Sequence, residues 1–367
     1  MPRGHALLAP SAAHRWMECP KAPALEKNYP DRSSPYAQEG TQAHDVCEKL
    51  LENHFKGACH TIEADADMKA NAQIYVDYIE EIYNEEKAKG VQPALHVEER
   101  IDLGDYIPRC FGFADAILEG KDTLHVFDFK YGKGVQVFAE ENPQLKIYAL
   151  GAERALNYLD DYKTIKLHIV QPRLDHIDSA EYSTDELLRW GNEVLKPAAN
   201  RAFRDQGEFH PGSHCQFCKA RNNCKTRQES LMAQIEDAKQ GNQNLAYILE
   251  HASEWEAWIR ETKENALQRA LDGDTIPGFK LVEGRSNRKI QQPEQVASLL
   301  QQEGFDPYKP RELKTLTALE KEVGKKHFSE ICGDYLIKPQ GKPTLVPESD
   351  KRPALNSAES DFEKLED

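Results

Sequence analysis

The sequence predicts an α/β fold, a mixed central sheet flanked by helices, followed by a helical and α+β C-terminal region. Three observations carry this expectation. Residues 111–117 and 124–130 alternate and are rich in aromatic and β-branched side chains, so both read as strands. Residues 41–55 and 68–89, which precede them, carry apolar stripes at helical spacing. A helix, a strand and another helix then follow, the alternation expected of a layered α/β domain.

In chain order, a short helix is expected from Ser11, read as its N-cap, to Cys19, with Trp16 on the core side. It should stop at Cys19, because the residue before Pro20 disfavours helical geometry. Residues 41–55 form the next helix, with Val46, Leu50 and Leu51 as its stripe and His44 in its first turn, just after Gly40-Thr41. A histidine there is ordinarily a cap or a surface group, and only acidic company would make it a ligand. Ile74, Tyr75, Tyr78, Ile79 and Ile82 give residues 68–89 a core-facing side. A strand over 95–103 leads into the hairpin, whose turn is Gly120-Lys121-Asp122. A helix over 140–158 carries Gln144 and Tyr148 one turn apart on one face. A strand over 164–170 and a helix over 184–204 complete the layer.

Composition bounds the function. Hydrophobic residues make up 39% and charged residues 30%, as in a water-soluble globular chain. No apolar run is long enough to span a bilayer, and the N-terminus lacks the layout of a secretory leader. A cytoplasmic setting with no membrane partner is therefore expected, in which the eight cysteines stay out of structural disulfides. A net charge of −15 argues against a protein that coats nucleic acid, but leaves room for a local basic groove.

The hairpin carries the chemistry. Strand alternation puts Asp128 and Lys130 on one side, where Asp115 of the neighbouring strand can join them. Two carboxylates offer the hard oxygens that Mg²⁺ or Mn²⁺ prefers, and a lysine can stabilise developing negative charge. The set suits metal-assisted phosphodiester hydrolysis. Asp-x-Lys alone is equally what an ordinary hairpin with a solvated ion pair contains, so its surroundings decide. A second signal is Cys215-x-x-Cys218 followed by Cys224, a spacing that lets sulfurs share one metal centre. Cys19 is the distant candidate for a fourth ligand. Zinc, with His210 or His214 completing the set, is the rival to an iron–sulfur cluster. Cys47, Cys59, Cys110 and Cys332 read as isolated thiols.

Taken together these pieces resemble, in order, the motifs of RecB-type nucleases of the PD-(D/E)XK superfamily that carry a four-cysteine iron–sulfur cluster, a group including AddB-type and CRISPR-associated nucleases. Ser11 to Cys19-Pro20 resembles the N-terminal cysteine motif, and Gly40-Thr41-x-x-His44 the histidine motif. Gly112-Phe113-Ala114-Asp115 and Asp128-Phe129-Lys130 resemble the two acidic motifs, and Gln144-Leu145-x-x-Tyr148 the glutamine–tyrosine helix. Asp128 stands where many relatives have glutamate. The resemblance implies a restriction-endonuclease-like core. It implies a divalent metal on His44, Asp115 and Asp128, with the Phe129 carbonyl beside them. Lys130 would serve the attacking water, and Gln144 and Tyr148 would position catalytic groups or the strand. Cys19, Cys215, Cys218 and Cys224 would hold a [4Fe–4S] cluster that staples the N-terminal helix to the end of the domain.

The expected division is a nuclease domain over 1–226, an accessory region over 227–337 and an acidic, disordered tail over 338–367. Within the accessory region, 227–272 read as two helices broken at Gly241-Asn242. Residues 277–289 read as a short strand with a basic cluster, Arg285, Arg288 and Lys289, that suits phosphate contacts. Residues 310–326 suggest a small α/β appendage. This arrangement resembles phage and prophage proteins carrying the same nuclease core. It implies an exonuclease acting on DNA ends or single strands in a bacterial host, with a recombinase, annealing protein or helicase as partner. A non-catalytic DNA-binding recombination partner with the same fold is the alternative.

Overall fold

The computed structural model describes residues 6–30, 35–156, 162–239, 245–280, 282 and 324. The predicted α/β class is what it shows: a five-stranded mixed sheet with helices on both faces. The strands are β1 (Ala94–Asp102), β2 (Phe111–Glu119), β3 (Thr123–Phe129), β4 (Thr164–Gln171) and β5 (His176–Ser183), in that spatial order. The pairs β1–β2, β2–β3 and β4–β5 are antiparallel, and β3–β4 is parallel. Among the described residues no helix is long and apolar enough to cross a membrane.

A turn of 3-10 helix at Pro10–Ala12 leads into α1 (Ala13–Glu18), followed by α2 (Ala22–Glu26). Ser11 therefore lies inside the first turn, and Ala12 occupies the cap of α1 with no side-chain hydrogen bond. Pro10, with its fixed φ, starts the turn in place of a capping hydroxyl. Trp16 is buried as expected, and its indole N–H donates to the Ala9 carbonyl at 3.0 Å.

The next helix, α3 (Pro35–Lys56), begins earlier than its sequence suggests, so His44 sits well inside it and not in its first turn. Gly40 and Thr41 are interior, and the Thr41 hydroxyl donates back to the Ala37 carbonyl at 3.0 Å. Asp65 caps α4 (Ala66–Ala88), its carboxylate accepting from the Met68 N–H at 2.8 Å. These two helices cover one sheet face: Val46, Leu51, Tyr75 and Ile79 pack against Ala116, Leu118, Phe127 and Phe129.

The opposite face is covered by α5 (Pro143–Leu156), α6 (Thr184–Trp190) and α7 (Lys196–Phe203). Between α6 and α7 the chain makes a wider turn at Gly191–Leu195, where one uninterrupted helix was expected. The β3–β4 connection runs through α5, and every residue from Leu145 to Glu153 is buried. Gly151 is required there, because a Cβ would come within 2.1 Å of the Ile101 side chain. Strand β5 has no counterpart in the sequence reading.

Past the sheet come α8 (Lys225–Lys239) and α9 (Leu245–Leu271). The chain divides into two compact units, residues 1–248 with 253–262, and 249–252 with 263–367. Pro277 and Gly278 form the centre of a turn rather than the start of a strand, with the Phe279 N–H donating to the Ile276 carbonyl at 3.0 Å. Arg285, Arg288, Lys289, the expected appendage and the acidic tail lie outside the described residues.

Beneath α4 a chain of polar groups crosses the core. The Tyr78 hydroxyl meets His168 Nδ1 at 2.9 Å, His168 Nε2 meets His125 Nδ1 at 3.1 Å, and His125 Nε2 meets Glu86 at 3.2 Å. Phe127 stacks on His168 with centroids 4.4 Å apart. Burial lowers the His125 pKa to about 4 and drives His168 well below its ordinary value. Both rings are neutral in the fold, while the unfolded chain takes up protons near pH 6.5. Stability is therefore full above that pH and is lost as pH falls toward 4, by on the order of 3 kcal/mol for His125. Urea midpoints measured from pH 7.5 to 4.5 should fall accordingly, and His125→Gln should flatten the profile.

Candidate active site and cysteine centre

The site forms where β2 and β3 part. Their ladder ends at Ala116–Phe127, while β3 stays paired with β4 to Phe129–Val170. The Phe129 N–H, left without a strand partner on the β2 side, donates to Asp115 Oδ2 at 2.8 Å. The next residue returns to the sheet, as the Lys130 N–H donates to the Val170 carbonyl at 2.9 Å.

Around this opening the structure gathers the predicted residues. His44 Nδ1, from α3, lies 3.1 Å from Asp115 Oδ1. Burial alone would lower the His44 pKa, but the Asp115 charge and hydrogen bond outweigh it and raise it to about 9. The imidazole is therefore a cation here and would surrender its proton to become a metal ligand. Burial pushes the Asp115 carboxyl up, yet His44 and the Phe129 N–H hold it below the usual carboxylate range. Asp128 is only 2% exposed. Its burial leaves it above the usual range, although Lys130 opposes this, and the nearby Asp115 charge adds to the rise.

Lys130, Asp128 and Gln144 interlock. The ammonium sits 2.8 Å from Asp128 Oδ2 and donates to Gln144 Oε1 at 3.0 Å. Gln144 Nε2 in turn donates to Asp128 Oδ1 at 2.8 Å. Burial would lower the Lys130 pKa, but the Asp128 charge more than compensates, so the lysine stays charged. Tyr148 lies one turn along α5, buried, with its hydroxyl pKa pushed up by that burial and the hydroxyl within reach of Gln144.

The residues present fit a hard divalent cation. Asp128 Oδ2 is buried and, despite its nearness to Lys130, lacks a hydrogen bond of good geometry. Ligand atoms of His44, Glu98 and Asp115 all lie within 4.8 Å of one another. Glu98 escaped the sequence reading. It stands beside Glu99 in a polar stretch of β1, and its left-handed backbone, φ 50°, has no sequence signature.

Lys130 and Gln144 open onto a cleft of about 930 Å³ whose walls include Arg15, Lys133 and Arg173, with Glu39 as the opposing charge. Aromatic walls accompany the cations. Tyr36 and Phe217 are exposed, and the Arg173 guanidinium lies 4.5 Å above the Tyr131 ring. His14 also lines the cleft, edge-on to Phe217 at 5.3 Å, and its buried Nε2 has no hydrogen-bond partner among the described residues. Burial, with Arg15 nearby, lowers its pKa to about 4, so the ring is neutral.

A second centre lies behind this cleft. Cys19, at the C-terminal cap of α1, lines one small cavity with Cys215, Cys218 and Cys224. Burial raises the Cys215 thiol and pushes Cys218 up to about 12. Four thiols around one cavity fit an iron–sulfur cluster or a zinc ion. His210 and His214 line the same cavity, but His214 Nε2 is engaged with the His210 carbonyl at 2.9 Å. Three hydrogen bonds tie the N-terminal segment to this region. Arg15 donates to the Phe217 carbonyl at 3.0 Å, Lys21 to the Asp205 carbonyl at 2.6 Å, and the Lys219 N–H to Glu26 at 2.8 Å.

Gly112, in the first acidic motif, is required by packing. A Cβ there would sit 2.6 Å from the Tyr148 ring and 3.2 Å from Pro10. Gly112→Ala should destabilise the fold by about 1–3 kcal/mol. The urea midpoint should fall at unchanged slope, and the loss should shrink in a Tyr148→Leu background.

The profile of the family described as "Protein of unknown function (DUF2800)" matches residues 5–353, and the chain belongs to that family. Among solved structures, one titled "Crystal structure of SSO0001" is 14% identical, over 57% of this chain and 95% of that one, with a TM-score of 0.25. That likeness is too distant to support any argument about fold or function.

Proposed function

We propose that this member of the DUF2800 family is a divalent-metal-dependent deoxyribonuclease, a RecB-like enzyme of the PD-(D/E)XK type acting as an exonuclease on DNA ends or single strands. The observation that carries the reading is the convergence of His44, Asp115, Asp128, Lys130 and Gln144, of which Lys130 and Gln144 open onto a cleft walled by cations and aromatic rings. Such a cleft suits a polyanion with stackable bases, because phosphate affinity comes from fixed positive charge and stacking tolerates any base. The chain as a whole is acidic, so attraction is local to this groove.

His44, Asp115 and Asp128 would hold Mg²⁺ or Mn²⁺, with Glu98 close enough to share in it. When bound, the cation supplies Lewis-acid polarisation of the scissile phosphate and lowers the pKa of a water. Lys130 stays charged and is fixed by two acceptors, so it can orient the attacking water and stabilise charge on the phosphate as it builds. Gln144 donates to Asp128 and accepts from Lys130, which fixes the distance between carboxylate and ammonium without changing their charges. Tyr148 supports Gln144 from below.

Cys19, Cys215, Cys218 and Cys224 would hold a [4Fe–4S] cluster acting as a staple, with zinc as the alternative occupant. Cys19 lining one cavity with Cys215, Cys218 and Cys224 supplies the four thiols of an all-cysteine set. A phage or prophage setting, with a recombinase, annealing protein or helicase as partner, rests on the sequence resemblance.

The test is digestion of end-labelled single- and double-stranded DNA by anaerobically purified protein with Mg²⁺ or Mn²⁺. Wild type should cleave, and Asp128→Ala and Lys130→Ala should each lose at least about a hundredfold in rate, with the visible spectrum unchanged. Cleavage that survives both substitutions would sink the mechanism. DNA binding without cleavage by wild type would favour a non-catalytic recombination partner.

A further inference from the structure

The Arg227 guanidinium is set against the cysteine cavity in a way that ordinary packing does not require. Arg227 lies in the first turn of α8, is 3% exposed, and lines the same cavity as the four cysteines. Its Nη1 donates to Glu261 Oε2 at 2.9 Å and to the Arg221 carbonyl at 3.2 Å. Its Nε–H is buried and has no acceptor among the described residues. A buried donor on a charged group is costly to leave unpaired, so an acceptor is expected in that cavity.

Two further features point the same way. Cys224 directly precedes α8, its backbone carbonyl accepting from the Gln228 N–H at 3.1 Å, so this cysteine stands at the positive end of the helix. Arg221 and Arg15 stand at the same cavity, each donating to a carbonyl of the cysteine loop, at 3.3 Å to Cys218 and 3.0 Å to Phe217. Glu261, from the part of α9 in the same compact unit, is shared by Arg221 at 3.1 Å and Arg227 at 2.9 Å. A zinc ion in four thiolates offers only its sulfurs to a donor. A cluster offers sulfide and thiolate sulfurs and gains negative charge on reduction.

We infer that Arg227 is a positioning residue that donates from Nε to a sulfur of the cluster and sets its reduction potential, with Glu261 attenuating that charge. The inference rests on the cluster proposed above. Charge and hydrogen bonds at the sulfurs are the protein's means of tuning such a potential. Removing the arginine charge disfavours the more negative reduced state, whereas removing the Glu261 charge favours it. The two substitutions must therefore shift the potential in opposite directions, which a merely structural role would not produce.

The experiment is dye-mediated redox titration, followed by visible absorption and electron paramagnetic resonance, on full-length anaerobically purified protein with iron quantified. Arg227→Gln should lower the midpoint by at least a tenfold change in the reduction equilibrium, about 59 mV for a one-electron couple. Glu261→Gln should raise it, and Arg227→Lys should restore most of the wild-type value. An iron-loaded Arg227→Gln protein with the wild-type midpoint overturns the inference and leaves the cluster reading standing. If Arg227→Gln fails to load iron, Glu261→Gln decides, an unshifted midpoint overturning the inference and a raised one supporting it. Wild type that holds zinc, or no metal, overturns the cluster reading and this inference together.

Discussion

A buried amide that has lost its strand partner organises the site. Where β2 leaves β3, the Phe129 N–H would be an unsatisfied donor in the core, and the Asp115 carboxylate takes it. That bond fixes one oxygen of Asp115 and turns the other toward His44. It also lets β3 continue along β4 alone, which carries Asp128 and Lys130 out to α5 and Gln144. Had the β2–β3 ladder run on, Asp115 would have been a strand residue with no need to face an amide. The same parting thus provides both the space for a ligand and the polar groups that meet it.

Electrostatics then divides the two carboxylates. Asp115, between His44 and an amide, is held as an anion, while Asp128 is buried and only partly compensated by Lys130. Three of the cations are committed to acceptors, His44 to Asp115, Lys130 to Asp128 and Arg173 to Glu39, and Arg15 and Lys133 add to the wall of the cleft. An acidic chain can present a cationic groove because these side chains converge from separate elements. Summed charge conceals this, and only the fold reveals it.

The sheet was legible because β2 and β3 are rich in aromatic and β-branched residues, β2 burying alternate residues along its first half and β3 nearly all of its own. Asp115, Asp128 and Lys130 could be grouped from strand parity, a rule that survives folding, whereas Gln144 was joined to them only through the family resemblance. The strand β5 was not legible. It is an edge strand, bonded only to β4, and its alternate exposure leaves little apolar signal in His176–Ser183. The start of α3 was misplaced because Gly40 reads as a boundary, whereas tertiary packing carries the helix through it. Ser11 has the chemistry of a cap, but Pro10 had already set the turn. Glu98 joins the site through a backbone conformation that no side-chain pattern announces. The cysteine set could be proposed from spacing and resemblance, yet Arg227 depends on a contact to α9 that sequence separation hides.

The hydrogen bonds that join Arg15, Lys21 and Glu26 to residues 205–219 also bear on how the protein is made. The first helix contributes His14 and Arg15 to the cleft, but its partners at residues 205–219 are synthesised after the whole sheet. On the ribosome the sheet and α3 to α5 can assemble with Ala13 and Trp16 in their shared core, while the partners of α1 at residues 205–219 are still missing. A nascent chain thus carries the acidic residues of its site before the groove that would guide a polyanion to them exists. The cleft is completed only after Phe217 has emerged, so assembly of the site is timed by a segment about two hundred residues beyond its first helix.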